Sequence, residues 1–112
     1  MKDKVNVLGT EYKIKYCGVK EDELLEKCDG YIDWTVKKIV IKTEEEGELK
    51  DMKSYVKNVL RHEIVHAFLF ESGLAESSCK YESGWATNEE MVDYIARQGI
   101  KICKAWEEAE AI

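Results

Sequence analysis

The hydrophobic and polar positions of this chain follow two periods, one after the other. Short runs come first. Lys4–Leu8 and Glu11–Tyr16 are rich in β-branched and aromatic side chains and are separated by Gly9-Thr10, which predicts a hairpin. Glu21–Lys27 predicts one or two turns of helix, ended by Cys28-Asp29-Gly30. Tyr31–Trp34 and Lys37–Lys42 flank Thr35-Val36 and predict a second strand pair, whose second run alternates poorly but is strongly β-branched. The acidic stretch Glu44–Glu48 around Gly47 predicts a loop or the start of a helix.

From about Leu49 to Ser72 the period becomes helical. Val56, Leu60, Ile64 and Phe68 recur at four-residue steps, a second apolar line runs through Val59, Val65 and Leu69, and Gly73 is a natural stop. A helix apolar on two sides is buried on two sides, so this is the predicted central helix. Leu74–Thr87 reads as irregular, rich in Ser, Gly and small polar groups. Asn88 or Thr87 can cap a last helix to about Glu110, whose apolar positions Val92, Ile95, Ile102 and Trp106 follow helical spacing across Gly99. Strands first and helices after predict one α+β domain over 1–112. In it a small, mostly antiparallel twisted sheet packs on the central helix, with a C-terminal helix beside it.

Composition narrows this picture. The 112 residues are 45% hydrophobic and 36% charged, a globular balance for one ordinary domain and too short for a separate substrate domain. The net charge of −6 argues against nucleic acid as a partner, because phosphate binding needs a cationic surface. No apolar run approaches the ~20 residues of a spanning helix, and no signal peptide is visible, so neither a membrane nor export is expected. Cys17, Cys28, Cys79 and Cys103 are widely spaced and form no CxxC, which suits reduced thiols in a cytoplasmic protein better than a zinc knuckle.

The candidate chemistry sits in the middle of the central helix. His62-Glu63-Ile64-Val65-His66 is an HExxH sequence, and residues four apart share a helical face, so both imidazoles can reach one metal ion. Glu63 stands beside the first imidazole, where its carboxylate can take a proton from a water that the metal activates. A buried His-Glu-His face without a metal would leave costly unpaired polar groups. These are the chain's two histidines, and a catalytic zinc site takes three protein ligands. The third must therefore be a carboxylate or a thiolate. Glu89 and Asp93, four apart at the start of the last helix, are natural suppliers: if Glu89 binds the metal, Asp93 can hydrogen-bond a ligating histidine. Glu90 points about 100° away on a helix, Glu71 reads as a surface residue near the helix end, and Glu76 and Glu82 lie in the irregular segment within reach of a metal.

The pair of motifs, His62–His66 and then Asn88-Glu89-x-x-x-Asp93, resembles that of the gluzincin metallopeptidases, whose signatures are HExxH and a downstream NExxxD. Size and element order are similar to the minimal, single-domain members (minigluzincins) and to small HExxH proteins encoded in phages and prophages. The resemblance implies a zincin-like fold, a Zn2+ ion held by His62, His66 and Glu89, Glu63 as general base, and Asp93 supporting a ligand histidine. It also implies that Tyr31, Ile32, Asp33 and Trp34 form the edge strand on which an extended peptide substrate lies. The implied activity is peptide-bond hydrolysis; the alternative is a zincin-fold metal-binding module that recognises a peptide or protein partner without turnover. This chain departs from the larger gluzincins in lacking a further histidine for the oxyanion, for which Tyr81, Tyr94 and Arg97 are the candidates. Within these 112 residues no counterpart of their large C-terminal substrate-binding domain is expected.

Overall fold

A computed structural model describes residues 1–43, 51–78 and 84–112. The acidic stretch Glu44–Glu48, and also Cys79, Tyr81 and Glu82, lie outside the described residues. Four strands are found among the described ones: β1 (Lys4–Val7), β2 (Thr10–Cys17), β3 (Gly30–Asp33) and β4 (Lys38–Lys42). They form one sheet in the order β1-β2-β4-β3. Both expected hairpins are present. In the first, Val7 faces Thr10 across a two-residue turn in which Leu8 (φ 50°) and Gly9 (φ 90°) are both left-handed. That is the backbone twist that two-residue hairpins favour.

The joint between the hairpins is a parallel pairing of β2 with β4, Ile14 beside Ile39, so the sheet is mixed. Two of the three pairings are antiparallel, and the parallel one is what the run pattern did not foretell. Its cause lies in β4. Ile39, Val40 and Ile41 are all fully buried, which only a central strand covered on both faces can achieve. The poor alternation of that run is thus its signature of centrality, and β3 is left at the edge.

Three helices complete the described fold: α1 (Met52–Glu71), α2 (Leu74–Ser78) and α3 (Glu89–Glu108). α1 begins at Asp51, whose side chain accepts the Ser54 N–H, and ends before Gly73, which has φ 83°. It lies on one face of the sheet, where Val56 and Ala67 join Val7, Tyr12, Ile14, Ile39 and Ile41 in the main core. On the opposite face a 3₁₀ turn (Glu23–Glu26) presses Leu25 onto Cys17 and Val40. α2 stands where an irregular segment was expected, with Ala75 and Ser78 buried.

Three apolar positions differ from the periodic reading: Phe68, Ile95 and Trp106. Phe68 is 40% exposed. Each four-residue step on a helix turns about 40° further round, so after three steps Phe68 has rotated about 120° away from Val56. In α3 burial is confined to Val92 and Ala96 in the first half, while Ile95 and Trp106 stay exposed, Trp106 at 52%. A 20-residue helix is about 30 Å long, and its first half already spans the contact with α1. None of the described helices is long and apolar enough to cross a membrane.

Candidate metal centre

α1 carries His62, Glu63 and His66 at mid-length, where both ends of the helix are tied down. α3 approaches from the side. Asn88 caps it by accepting the Met91 N–H, which starts the helix at Glu89 and sets that carboxylate in the first turn. Arg61 Nε donates to the Ala96 carbonyl at 2.7 Å, fixing one helix against the other.

The result is a convergence of donors. His62 Nε2 and His66 Nε2 are 3.2 Å apart. Glu89 reaches both, with Oε1 at 2.7 Å from His66 Nε2 and Oε2 at 3.0 Å from His62 Nε2. Behind them Asp93 Oδ1 is 3.3 Å from His62 Nδ1. One ligand atom each from His62, His66 and Glu89 lie within 4.8 Å of one another.

Counting protons tests whether a metal fits. An ionised carboxylate only accepts, so the contact with Asp93 puts the His62 proton on Nδ1 and leaves Nε2 with a bare lone pair. That lone pair faces a second imidazole nitrogen and a carboxylate oxygen, all electron-rich. A cation held among them relieves that repulsion, as does a proton on an imidazole Nε2 donated to Glu89. Donors at 2.0–2.1 Å from one tetrahedral zinc stand about 3.3 Å apart, close to the spacing of the two imidazoles. The residues fit a borderline divalent ion. Burial pushes the His66 imidazole below the ordinary histidine range, against the opposing pull of Glu89, which keeps its nitrogen available as a donor.

Glu63 is the odd member. It is 6% exposed and pairs with no side chain among the described residues. Burial pushes its carboxyl up to about 7, with neighbouring His62 lowering it and Glu89 adding to the rise. Its neighbour space is a cavity of about 220 Å³, bounded by His62, Glu63, Glu89, Asp93 and Arg97 on one side and by Asp29, Gly30 and Tyr55 on the other. A larger hollow of about 730 Å³ lies over the outer face of the sheet among Lys4, Lys13, Lys15 and Lys38, and none of these groups lines it.

Of the other carboxylates weighed from sequence, Glu90 and Glu76 are exposed and outside the cluster, and Glu71 is bound to the sheet instead. Among the oxyanion candidates, Tyr94 is 60% exposed and does not line the cavity, whereas Arg97 does. β3 is an edge strand, and its hydrogen-bond phase is fixed by the Lys42 N–H donating to the Asp29 carbonyl. In an antiparallel pair alternate residues turn their main-chain groups to the partner, so Gly30 and Ile32 turn theirs to the open edge. Tyr31 and Asp33 face β4 with theirs. Trp34 falls beyond the strand, in the turn, and stacks on Phe70 with centroids 5.9 Å apart.

Sequence reasoning did not single out Tyr55 and Asn58, although they precede His62 by seven and four residues and so share its helical face. That spacing was readable. Asp29 was not: it stands just ahead of β3, 26 residues before Tyr55, and accepts the Tyr55 hydroxyl, which pushes the Tyr55 phenol up to about 12. Gly30 lies tight on α1. A Cβ there would stand 2.9 Å from Val59 Cγ1 and 3.0 Å from the Val40 carbonyl oxygen. Comparison of the chain with models of protein families, with curated proteins and with solved structures yields no match.

Proposed function

We propose that the protein is a zinc-dependent peptidase of zincin-like design, a cytoplasmic hydrolase acting on peptide or protein segments. One observation carries the reading. His62, His66 and Glu89 converge as three donors beside Glu63, a buried carboxyl that pairs with no side chain among the described residues. Two imidazoles and one carboxylate are a donor set that suits zinc, which with three protein ligands keeps a position open, acidifies water and polarises a carbonyl.

The chain's own groups divide the remaining work. Glu63 lines the cavity and has no side-chain partner among the described residues, which leaves its carboxylate free to take the proton of the attacking water and pass it to the leaving amine. Asp93 holds the Nδ1–H of His62 and thereby keeps Nε2 turned to the centre. Gly30 and Ile32 offer main-chain groups at the open edge of β3 beside the cavity, where an extended peptide adds as a further strand. Cys17, Cys28 and Cys103 are free thiols, in keeping with a reducing compartment.

A second reading has an observation of its own. Tyr94 lies away from the cavity, so one candidate for stabilising an oxyanion is lost. A metal-holding module that grips a peptide at β3 without cleaving it needs no such group.

Metal per chain, measured by elemental analysis on wild type and Glu89→Ala purified side by side without added metal, tests the site. The expected result is about one zinc per wild-type chain and much less in the variant. A wild type that holds no zinc and gains none on titration overturns the proposal. Cleavage of a peptide mixture by the zinc-loaded protein then separates hydrolase from module.

A further inference from the structure

Arg97 was raised from sequence only as an oxyanion candidate, and the structure gives it a different geometry. It follows Asp93 by one helical turn on α3, and its Nε donates to Asp93 Oδ2 at 2.6 Å. The other oxygen of the same carboxylate is the one 3.3 Å from His62 Nδ1. We infer that Arg97 is a positioning residue of the metal centre, which orients His62 by clamping Asp93 between its own guanidinium and the imidazole. The inference rests on the metal-binding reading above.

The physical case is one of restraint. Asp93 is half-exposed, so water competes for both of its oxygens. A 3.3 Å contact to an imidazole is at the long end of hydrogen bonding and does not by itself hold the carboxylate plane. The 2.6 Å bond to a charged guanidinium is short and strong, and the two bonds on two oxygens fix the plane. With the plane fixed, the Nδ1–H of His62 has one place to point, and Nε2 is held towards His66 and Glu89.

The bland alternative is an exposed ion pair four residues apart on a helix, of the kind that occurs on many surfaces and does little. A simple charge argument makes a third prediction. Arg97 lines the metal cavity as a cation, so removing it should tighten the binding of a divalent ion. Positioning predicts the opposite sign. The three readings thus give weaker, unchanged and tighter metal binding, and one titration decides among them.

The experiment uses the full chain, stripped of metal and titrated with zinc against a chromophoric chelator at fixed pH and ionic strength. Wild type, Arg97→Gln, Arg97→Lys, Asp93→Asn and the double variant Asp93→Asn/Arg97→Gln are compared, with unfolding midpoints of the metal-free proteins alongside. Asp93→Asn is expected to lose roughly 10–100-fold in zinc affinity, and Arg97→Gln about 10-fold, with unchanged metal-free unfolding midpoints. Arg97→Lys, which keeps the charge without the guanidinium plane, recovers part of the loss and stands in should the glutamine variant not fold. In the double variant the Arg97 change adds nothing to the Asp93 change, because its path runs through that carboxylate. Zinc binding by Arg97→Gln at or above wild-type strength overturns the inference, and so do losses that simply add in the double variant. A wild type that takes up no zinc sinks the metal-binding reading itself, and shows it without any variant.

Discussion

Two glutamates of α1, eight residues apart, stand in opposite surroundings. Glu71 accepts from Tyr12 Oη at 2.6 Å, from Lys37 Nζ at 2.6 Å and from Thr10 Oγ1 at 3.3 Å. The Lys37 bond, then the Tyr12 bond, hold its carboxyl below the usual range. Glu63 is more deeply buried and has none of this, and burial lifts it to about 7. A carboxylate supplied with donors on every side is a tie between elements: here the last turn of α1 is fastened to β2 and the turn before β4. A buried carboxyl without donors costs stability, and such a cost persists where the group has chemistry to do.

Breaking each glutamate in turn sharpens the contrast. The largest effect is expected from Glu63→Gln, which should lower the initial rate of peptide hydrolysis by roughly 10²–10⁴-fold while zinc content and unfolding midpoint stay at wild-type values. A variant that keeps its zinc and more than a tenth of the rate removes Glu63 from the role of base. Gly30→Ala perturbs the cavity wall without touching either carboxylate. Its Cβ would meet Val59 and the Val40 carbonyl, so urea unfolding should report a loss of about 1–3 kcal/mol. An unchanged midpoint there means that β3 can move away from α1.

Glu71→Gln should do the reverse of Glu63→Gln, lowering the unfolding midpoint by several degrees and leaving zinc content and hydrolysis untouched. Its smallest and most specific consequence is in pH. The folded carboxyl of Glu71 sits below its unfolded range, so its contribution is full above that range and is lost as pH falls through the folded value. The midpoint gap between wild type and Glu71→Gln should therefore be constant near neutrality and close on acidification. A gap that persists in strong acid means that the ion pair with Lys37 is not what stabilises the contact.

The site was more legible than the sheet, for a physical reason. Only two histidines exist, they are four apart in a helical pattern, and a three-ligand zinc site would then draw on a carboxylate or a thiolate, with Glu89 and Asp93 sharing a face. Their meeting with the histidines is what the structure adds, across 27 and 31 residues of chain. Glu71 looked like a surface residue near a helix end, because nothing local announces that Tyr12 and Lys37 fold back onto it. Asp29 and Gly30 were invisible for the same reason, and Tyr55 was passed over although its spacing from His62 marked it.

What the sequence determined by itself is whatever covalent neighbours dictate: the two hairpins, a cap at Asn88 or Thr87 before the last helix, and the helical period that puts His62 and His66 side by side. These follow from backbone geometry within a few residues. The tertiary structure alone decided that β2 and β4 join in parallel, that Asp29 and Gly30 wall the cavity, and that α3 crosses α1 at the turn carrying the histidines. Those outcomes depend on which buried surfaces fit together after distant segments meet. Periodicity along the chain says which face of an element is buried and not what it is buried against.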